Sequence, residues 1–150
     1  ISGVIYEPNQ DEMFYAWKNG GAYLNGKSIS VSSTKKISNA LLATGFPYYD
    51  YKRLDGYMNI LKWLMHNSRG VRRIGSAAID LAYVACGRFD AFYEYSLNPW
   101  DIAAGAIIVK EAGGSVKDFE GGENYMFGKE ILASNLHVEG EFLDKIKQSF

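Results

Sequence analysis

Two acidic residues near the middle of the chain have the types and spacing of a ligand-binding site. Glu94 and Asp101 are seven positions apart in the string F-Y-E-Y-S-L-N-P-W-D-I-A-A-G. Asn98 and Pro99 suit the N-cap and the first position of a helix, so Asp101 falls in the first helical turn. A carboxylate there complements the helix dipole. Taken alone, Asp101 is therefore best interpreted as a capping residue, and only its wider context makes it a candidate for chemistry.

That context extends from Phe92 to Gly114. The string W-D-I-A-A-G, an apolar helix and the closing E-A-G-G, with an acid seven residues before the aspartate, resembles the second signature of the inositol monophosphatase family. Members of this family are magnesium-dependent, lithium-sensitive phosphatases. The resemblance implies that Asp101 ligates a catalytic Mg²⁺ and meets the substrate. It also implies that Glu94 binds a hydroxyl group of a sugar or of inositol.

A second segment, R-R-I-G-S-A-A, resembles a part of the family that lines the substrate pocket. The resemblance implies that Gly75, Ser76 and Ala77 shape the pocket wall, with a backbone group at Ala77 meeting the substrate. Ser76 is also a plausible N-cap for the helix that follows. Both interpretations stay open from the sequence.

Two further charged residues lie close to this segment. Arg73 could steer a phosphate or pair with an acid elsewhere, and a solvated structural role is the favoured interpretation. Asp80 stands among apolar residues of a helix. Because an unpaired charge in an apolar environment is costly, we expect Asp80 to have a hydrogen-bond partner that the sequence does not identify.

Composition narrows the class of protein. The 150 residues are 47% hydrophobic and 15% aromatic, as in a packed globular protein with one core. A net charge of -1 gives no electrostatic footprint for nucleic acid, and no run of Lys or Arg indicates a membrane surface. A single cysteine, Cys86, excludes an internal disulfide framework and fits a reducing cytoplasm. We therefore expect a cytoplasmic protein, and the resemblance implies that its partner is a small-molecule phosphate monoester.

The sequence pattern of residues 1–34 predicts a short antiparallel meander. We expect this meander to continue an upstream sheet. Turn signals at Asn19-Gly20-Gly21 and Asn25-Gly26 separate its strands. From Ala40 onward strands and helices alternate, which predicts a mixed sheet flanked by helices. Residues 35–150 are therefore expected to form the C-terminal α/β domain of a layered α/β sandwich.

Two helices of this domain have clear apolar periodicity. The terminal helix over Glu139 to Phe150 has Phe142, Leu143 and Ile146 on one side. The other helix covers roughly Arg53 to Asn67. Its predicted core stripe consists of Leu54, Tyr57, Met58, Leu61, Leu64 and Met65.

The resemblance covers essentially the whole chain but only the later half of the family pattern. The first signature, an Asp-Pro-Ile/Leu-Asp-Gly-Thr run, is absent, and so is the upstream acidic pair. Only Asp101 remains as a metal ligand. The chain is therefore interpreted as the C-terminal part of a magnesium-dependent phosphate-monoester hydrolase, an inositol-1-monophosphatase first, and the fragment alone is expected to be inactive.

Two alternatives stay open. A phosphatase of the same fold could act on fructose 1,6-bisphosphate or on 3′-phosphoadenosine 5′-phosphate. A non-catalytic oligomerisation or binding module is the alternative of a different class. In either case an unpaired sheet edge in the meander would favour association with another chain. We expect a homodimer or association with the missing N-terminal half.

Overall fold

The computed structural model describes residues 1–150, which form two β-sheets and the helices that pack on them. The first sheet is an antiparallel meander with its strands in chain order. Alternate residues of its first two strands, among them Ile5 and Phe14, are buried on one face. The strands are β1 (Ser2–Glu7), β2 (Glu12–Trp17), β3 (Ala22–Leu24) and β4 (Lys27–Ile29).

The second sheet is mixed, with the strand order β6, β5, β7, β9, β8. The strand β5 is parallel to both β6 and β7, whereas β9 is antiparallel to both β7 and β8. This confirms the predicted mixed sheet. The strands are β5 (Leu41–Thr44), β6 (Gly70–Arg72), β7 (Ala91–Tyr95), β8 (Ser115–Lys117) and β9 (Glu130–Ser134).

Helices form the layers between and outside the sheets. The helices α2 (Ala77–Ala85) and α3 (Pro99–Glu111) lie between the two sheets and share one apolar core with both. The helices α1 (Leu54–Asn67) and α5 (Glu139–Ser149) cover the other face of the mixed sheet with a second core. The result is the predicted α/β fold of alternating helical and sheet layers. The proposed division of the chain between residues 34 and 35 stays a prediction.

Most predicted elements are confirmed to within a few residues, but the stripe of α1 is narrower than its sequence suggested. Tyr57, Ile60 and Leu64 are buried, whereas Met58 and Met65 are exposed, so the assignment of these methionines to the core was wrong. The buried residues follow i, i+3 and i+7 spacing, and the methionines lie beside that line on the solvent side. A short helix, α4 (Tyr125–Gly128), precedes β9.

Close packing of α2 against α3 fixes the two helices that begin beside the candidate site. A Cβ atom added at Gly105 of α3 would lie 2.5 Å from Cβ of Leu81 in α2. The glycine of the W-D-I-A-A-G string therefore allows the two helices to approach. None of the helices combines the length and the apolar composition needed to cross a bilayer.

We predict that Gly105→Ala destabilises the fold, because the new methyl group would have to displace the backbone of a neighbouring helix. The expected loss in free energy of unfolding is about 1–3 kcal/mol, measured by urea denaturation. Gly140→Ala in α5 is the matched control, since a Cβ there meets nothing within 4 Å. Equal stability of Gly105→Ala and wild type would contradict the packing argument.

Candidate functional site

A cavity lies at the carboxyl ends of the three parallel strands. It has a volume of about 390 Å³. Gly45 follows β5, Arg73 follows β6, and Glu94 is near the end of β7, and all three residues line the cavity. In open α/β sheets, ligands bind in crevices outside the carboxyl ends of strands. The topology therefore places this cavity where a ligand site is expected.

The N-termini of α2 and α3 meet at the same cavity. Ser76 caps α2, with its Oγ accepting a hydrogen bond from the Ile79 N–H at 3.5 Å. Asp101 Oδ2 accepts a hydrogen bond from the Asn98 N–H at 2.9 Å, and Asp101 also lines the cavity. The capping role and a ligand-binding position are thus compatible in both residues.

All five residues singled out from the sequence line this one cavity. Three of them lie at the N-terminus of α2, one lies on β7, and one lies in the first turn of α3. They are Gly75, Ser76, Ala77, Glu94 and Asp101.

The Glu94 carboxyl group sits directly against the backbone of Gly45. A Cβ added at Gly45 would lie 2.1 Å from Glu94 Oε2, so no other residue leaves room for the carboxyl group in this position. Glu94 is only 7% exposed, within a strand whose residues are all buried. Burial raises the pKa of Glu94 to about 8, and the negative charges of Asp80 and Asp101 add to this rise while Arg73 opposes it.

Asp80 contradicts the expectation from sequence. It is 1% exposed, and neither carboxyl oxygen has a hydrogen-bond partner. The predicted hydrogen-bond partner is thus missing, although Asp80 is among the residues that line the cavity. Burial raises the pKa of Asp80 to about 7, partly offset by the positive charge of Arg73. The sequence showed a charged residue inside an apolar helix, and the prediction that this residue has a hydrogen-bond partner was wrong.

Two further residues of the cavity are Arg73 and Trp100. Arg73 is exposed and lines the cavity, where its guanidinium donates a hydrogen bond to the Tyr48 hydroxyl and lies 5.2 Å from the centre of the Phe46 ring. Trp100 lines the cavity with 79% of its surface exposed. The sequence favoured a solvated structural role for Arg73. It did not predict that Arg73 lines the same cavity as Asp80, Glu94 and Asp101.

The chain contains no group of three or more His, Cys, Asp or Glu residues arranged to hold a metal ion. Asp101 still fits one position in the coordination of a hard cation. One of its oxygens is held by the Asn98 N–H, which leaves the other oxygen available at the cavity. A carboxylate oxygen is a ligand that Mg²⁺ prefers, and one or two carboxylates are usual in phosphate sites.

The raised pKa values predict that stability falls with rising pH. Asp80 and Glu94 bind protons more tightly in the folded chain than in the unfolded chain, so their contribution is complete at low pH and is lost as pH rises through about 7 and about 8. Between pH 6 and pH 9 we expect a loss on the order of 2–4 kcal/mol, measured by chemical denaturation. Asp80→Asn combined with Glu94→Gln should flatten this dependence, whereas Asp144→Asn on the surface should not. An unchanged slope in the double variant would contradict the prediction.

Comparison with known proteins agrees with this geometry. The sequence profile of the inositol monophosphatase family matches residues 1–149. A Nus factor SuhB from Escherichia coli is 47% identical over 135 residues, which are 90% of this chain and 51% of that protein. The chain thus spans about half the length of such curated relatives.

Solved structures show the same fold. The extragenic suppressor protein suhB from Bartonella henselae superposes with a TM-score of 0.94 at 40% identity, over 100% of this chain and 57% of that one. Inositol monophosphatase from Anabaena superposes with a TM-score of 0.91 at 40% identity, over 98% of this chain and 58% of that one. The cavity at the strand ends, the two helix N-termini and the match over residues 1–149 lead to one conclusion: this chain belongs to the inositol monophosphatase family.

Proposed function

We propose that the chain forms the C-terminal part of a magnesium-dependent phosphate-monoester hydrolase that acts on inositol 1-phosphate. The observation that carries this proposal is the convergence of Asp101, Glu94 and the segment from Gly75 to Ala77 on one cavity, in a chain of this family. Inositol monophosphatase from Anabaena, with which the chain shares its fold, supports the choice of substrate.

Asp101 is proposed to hold Mg²⁺ through the oxygen that the Asn98 N–H leaves available. A bound Mg²⁺ would supply Lewis-acid stabilisation of the negative charge that develops on phosphate and leaving-group oxygens. The hydrogen bond at 2.9 Å fixes the Asp101 carboxylate at the start of α3. This restraint keeps the ligand oriented before substrate arrives, so less ordering is needed on binding.

Glu94 is proposed to bind a hydroxyl group of the substrate. With a pKa of about 8, its carboxyl group is mostly protonated at neutral pH. A protonated carboxyl group has both a donor and an acceptor, as a hydroxyl group does, so the two can form matched hydrogen bonds. Ala77 begins α2, and the first N–H groups of a helix have no partner within the helix. The Ala77 N–H is therefore proposed as a donor to the same substrate.

The remaining metal ligands are proposed to lie outside this chain. Two-metal hydrolysis requires ligands that hold both ions in fixed positions, and Asp101 alone does not provide them. The absence of a three-residue ligand cluster supports this division of the site. The 150-residue chain by itself is accordingly proposed to be inactive.

Joining the chain to the missing part of the site provides the test of function. We would fuse it to the segment of the Escherichia coli relative that precedes the matched region, and measure phosphate release from inositol 1-phosphate with and without Mg²⁺. Asp101→Asn should lower the rate by about 100-fold or more, because it replaces a charged ligand by a neutral one. Asp144→Asn should leave the rate unchanged. Magnesium-dependent release by the unfused chain, abolished by Asp101→Asn, would refute the proposed division.

The partner is proposed to bind at the edge strand β1, as a second copy of this chain or as the missing half. The outer face of β1 exposes Val4 and Tyr6, which are 59% and 53% exposed, beside an unpaired backbone edge. Exposed edges of this kind invite pairing with another strand. We expect association in analytical ultracentrifugation, weakened at least tenfold by Val4→Lys with Tyr6→Lys because charges oppose edge pairing. Met65→Lys, at another exposed apolar residue, is the control. A monomeric wild-type chain would contradict this prediction.

A further inference from the structure

A second cavity, the arginine cavity, opens at the amino ends of the three parallel strands, opposite the Glu94 cavity, which Glu94 and Asp101 line. Leu41 begins β5, Arg69 precedes β6 and Asp90 precedes β7, and all three residues line the arginine cavity. Its volume is about 440 Å³, within the range of small-molecule sites. Only Leu41 among its lining residues is apolar, and the two cavities share no residue. The arginine cavity therefore suits a polar ligand of its own.

The positive charges that line this cavity all belong to arginine. Three of the five arginines of the chain line it, and none of the eleven lysines does. Arg69 precedes β6, Arg72 ends it, and Arg88 follows α2. Arginine differs from lysine in presenting a planar fork of N–H donors, which matches the paired oxygen atoms of a phosphate or a carboxylate. The choice of cation therefore indicates an oxyanion as the ligand.

Only one of these three arginines is neutralised by an acid of the chain. The Arg88 guanidinium donates to both carboxylate oxygens of Glu12, from Nη1 at 2.7 Å and from Nη2 at 2.5 Å. Arg69 and Arg72 form no ion pair. The Arg72 guanidinium donates a single hydrogen bond, to the Val71 carbonyl at 3.2 Å. Two guanidinium forks are thus available to a ligand, beside a third that Glu12 holds in place.

Asp90, the one acid that lines the cavity, is bound by other groups of the chain. Its oxygens accept hydrogen bonds from the Leu41 N–H at 2.6 Å and from the Ser32 hydroxyl at 2.5 Å. The Asn135 amide in turn donates to Ser32 Oγ at 2.7 Å and to the Thr34 carbonyl at 3.1 Å. Asp90 forms no ion pair with an arginine. These bonds order one side of the cavity without using the free guanidinium groups.

Charge around the cavity favours a phosphate over other oxyanions. Lys35 and Lys36 are exposed on the segment between Thr34 and Asn39, two lining residues, and extend the positive charge to the rim. One phosphate dianion balances two free guanidinium groups, whereas one carboxylate balances only one of them. The chain as a whole has a net charge of -1, which gives no electrostatic footprint for nucleic acid. A phosphate group on a small molecule therefore fits this site best.

We propose that the arginine cavity is a binding site for a phosphate-bearing small molecule, in which Arg69 and Arg72 bind the phosphate oxygens and Arg88 completes the positive wall. This site goes beyond the proposed hydrolysis, because it requires neither Mg²⁺ nor a residue of the Glu94 cavity. Hydrogen bonds from guanidinium to phosphate are charge-assisted and stronger than neutral ones. Guanidinium groups also stay protonated in proteins, so the site stays cationic at every physiological pH.

The test follows the binding of inorganic phosphate to the 150-residue chain by NMR, through the backbone N–H of Gly87 and the guanidinium N–H signals. Sodium phosphate replaces sodium chloride at constant ionic strength, so a shift reports a preference for phosphate over chloride. We expect saturable shifts at Gly87, Arg69 and Arg72. Arg69→Gln combined with Arg72→Gln should weaken binding at least about tenfold, because two charged donors are lost. Arg88 is retained, since its removal would leave Glu12 without its cation.

Two single variants separate this cavity from the rest of the chain. Lys62→Gln removes a positive charge from the exposed side of α1, and Arg73→Gln removes the arginine that lines the Glu94 cavity. Both should leave the phosphate-dependent shift of Gly87 unchanged. Arg69 and Arg72 are exposed, so the double variant should keep its fold, which circular dichroism verifies. The proposal is overturned if the folded double variant binds phosphate as the wild type does, or if the wild type shows no saturable shift.

A short oligothymidylate distinguishes the source of the phosphate group. We expect it to bind no more tightly than inorganic phosphate, because a pocket of this volume admits a single phosphate group with a small organic part. If the oligothymidylate saturates the Gly87 signal and inorganic phosphate does not, the site takes a nucleic-acid backbone and the small-molecule proposal is overturned. None of these measurements depends on phosphate release, so their outcome is separable from that of the phosphatase assay.

Discussion

The contact between the Glu94 carboxyl group and the Gly45 backbone is the constraint on which the cavity depends. It follows from the parallel pairing of β5 and β7, which sets Thr44 beside Tyr93. The Thr44 hydroxyl donates to the Tyr93 carbonyl at 2.8 Å and fixes that register. The next residue on β5 then falls beside Glu94, where a Cβ atom would collide with the carboxyl oxygens. Glycine at this point keeps a buried acid at the end of a buried strand.

The helices between the sheets bring the other two acids to Glu94. Asp80 is in the first turn of α2 and Asp101 is in the first turn of α3, and the close contact of Leu81 with Gly105 prevents these helices from separating. Three acids are thus held together by three backbone elements that cannot move apart independently. Burial raises the pKa values of Glu94 and Asp80, and the negative charges of Asp80 and Asp101 add to the rise at Glu94.

Much of this arrangement was predictable because its signals are local. The capping position of Ser76, the first-turn position of Asp101 and the alternation of strands and helices each follow from short stretches of sequence. The Gly45 contact and the orientation of Asp80 depend instead on segments that are distant in sequence and meet only in the folded sheet. Apolar periodicity failed for Met58 and Met65 for a related reason: it identifies an amphipathic face but not how much of that face a neighbouring layer covers.

Charge gives the cavity two chemically different parts. A phosphate monoester is an anion, and three ionised acids beside a single arginine would repel it. With pKa values of about 8 and about 7, Glu94 and Asp80 carry less than their full charge near neutral pH, which lowers this repulsion. Asp101 differs in its surroundings, because it accepts a hydrogen bond from the Asn98 N–H at the start of α3. The fold thus separates two buried acids with raised pKa values from the partly buried carboxylate at the start of α3, which is the proposed ligand of the cation.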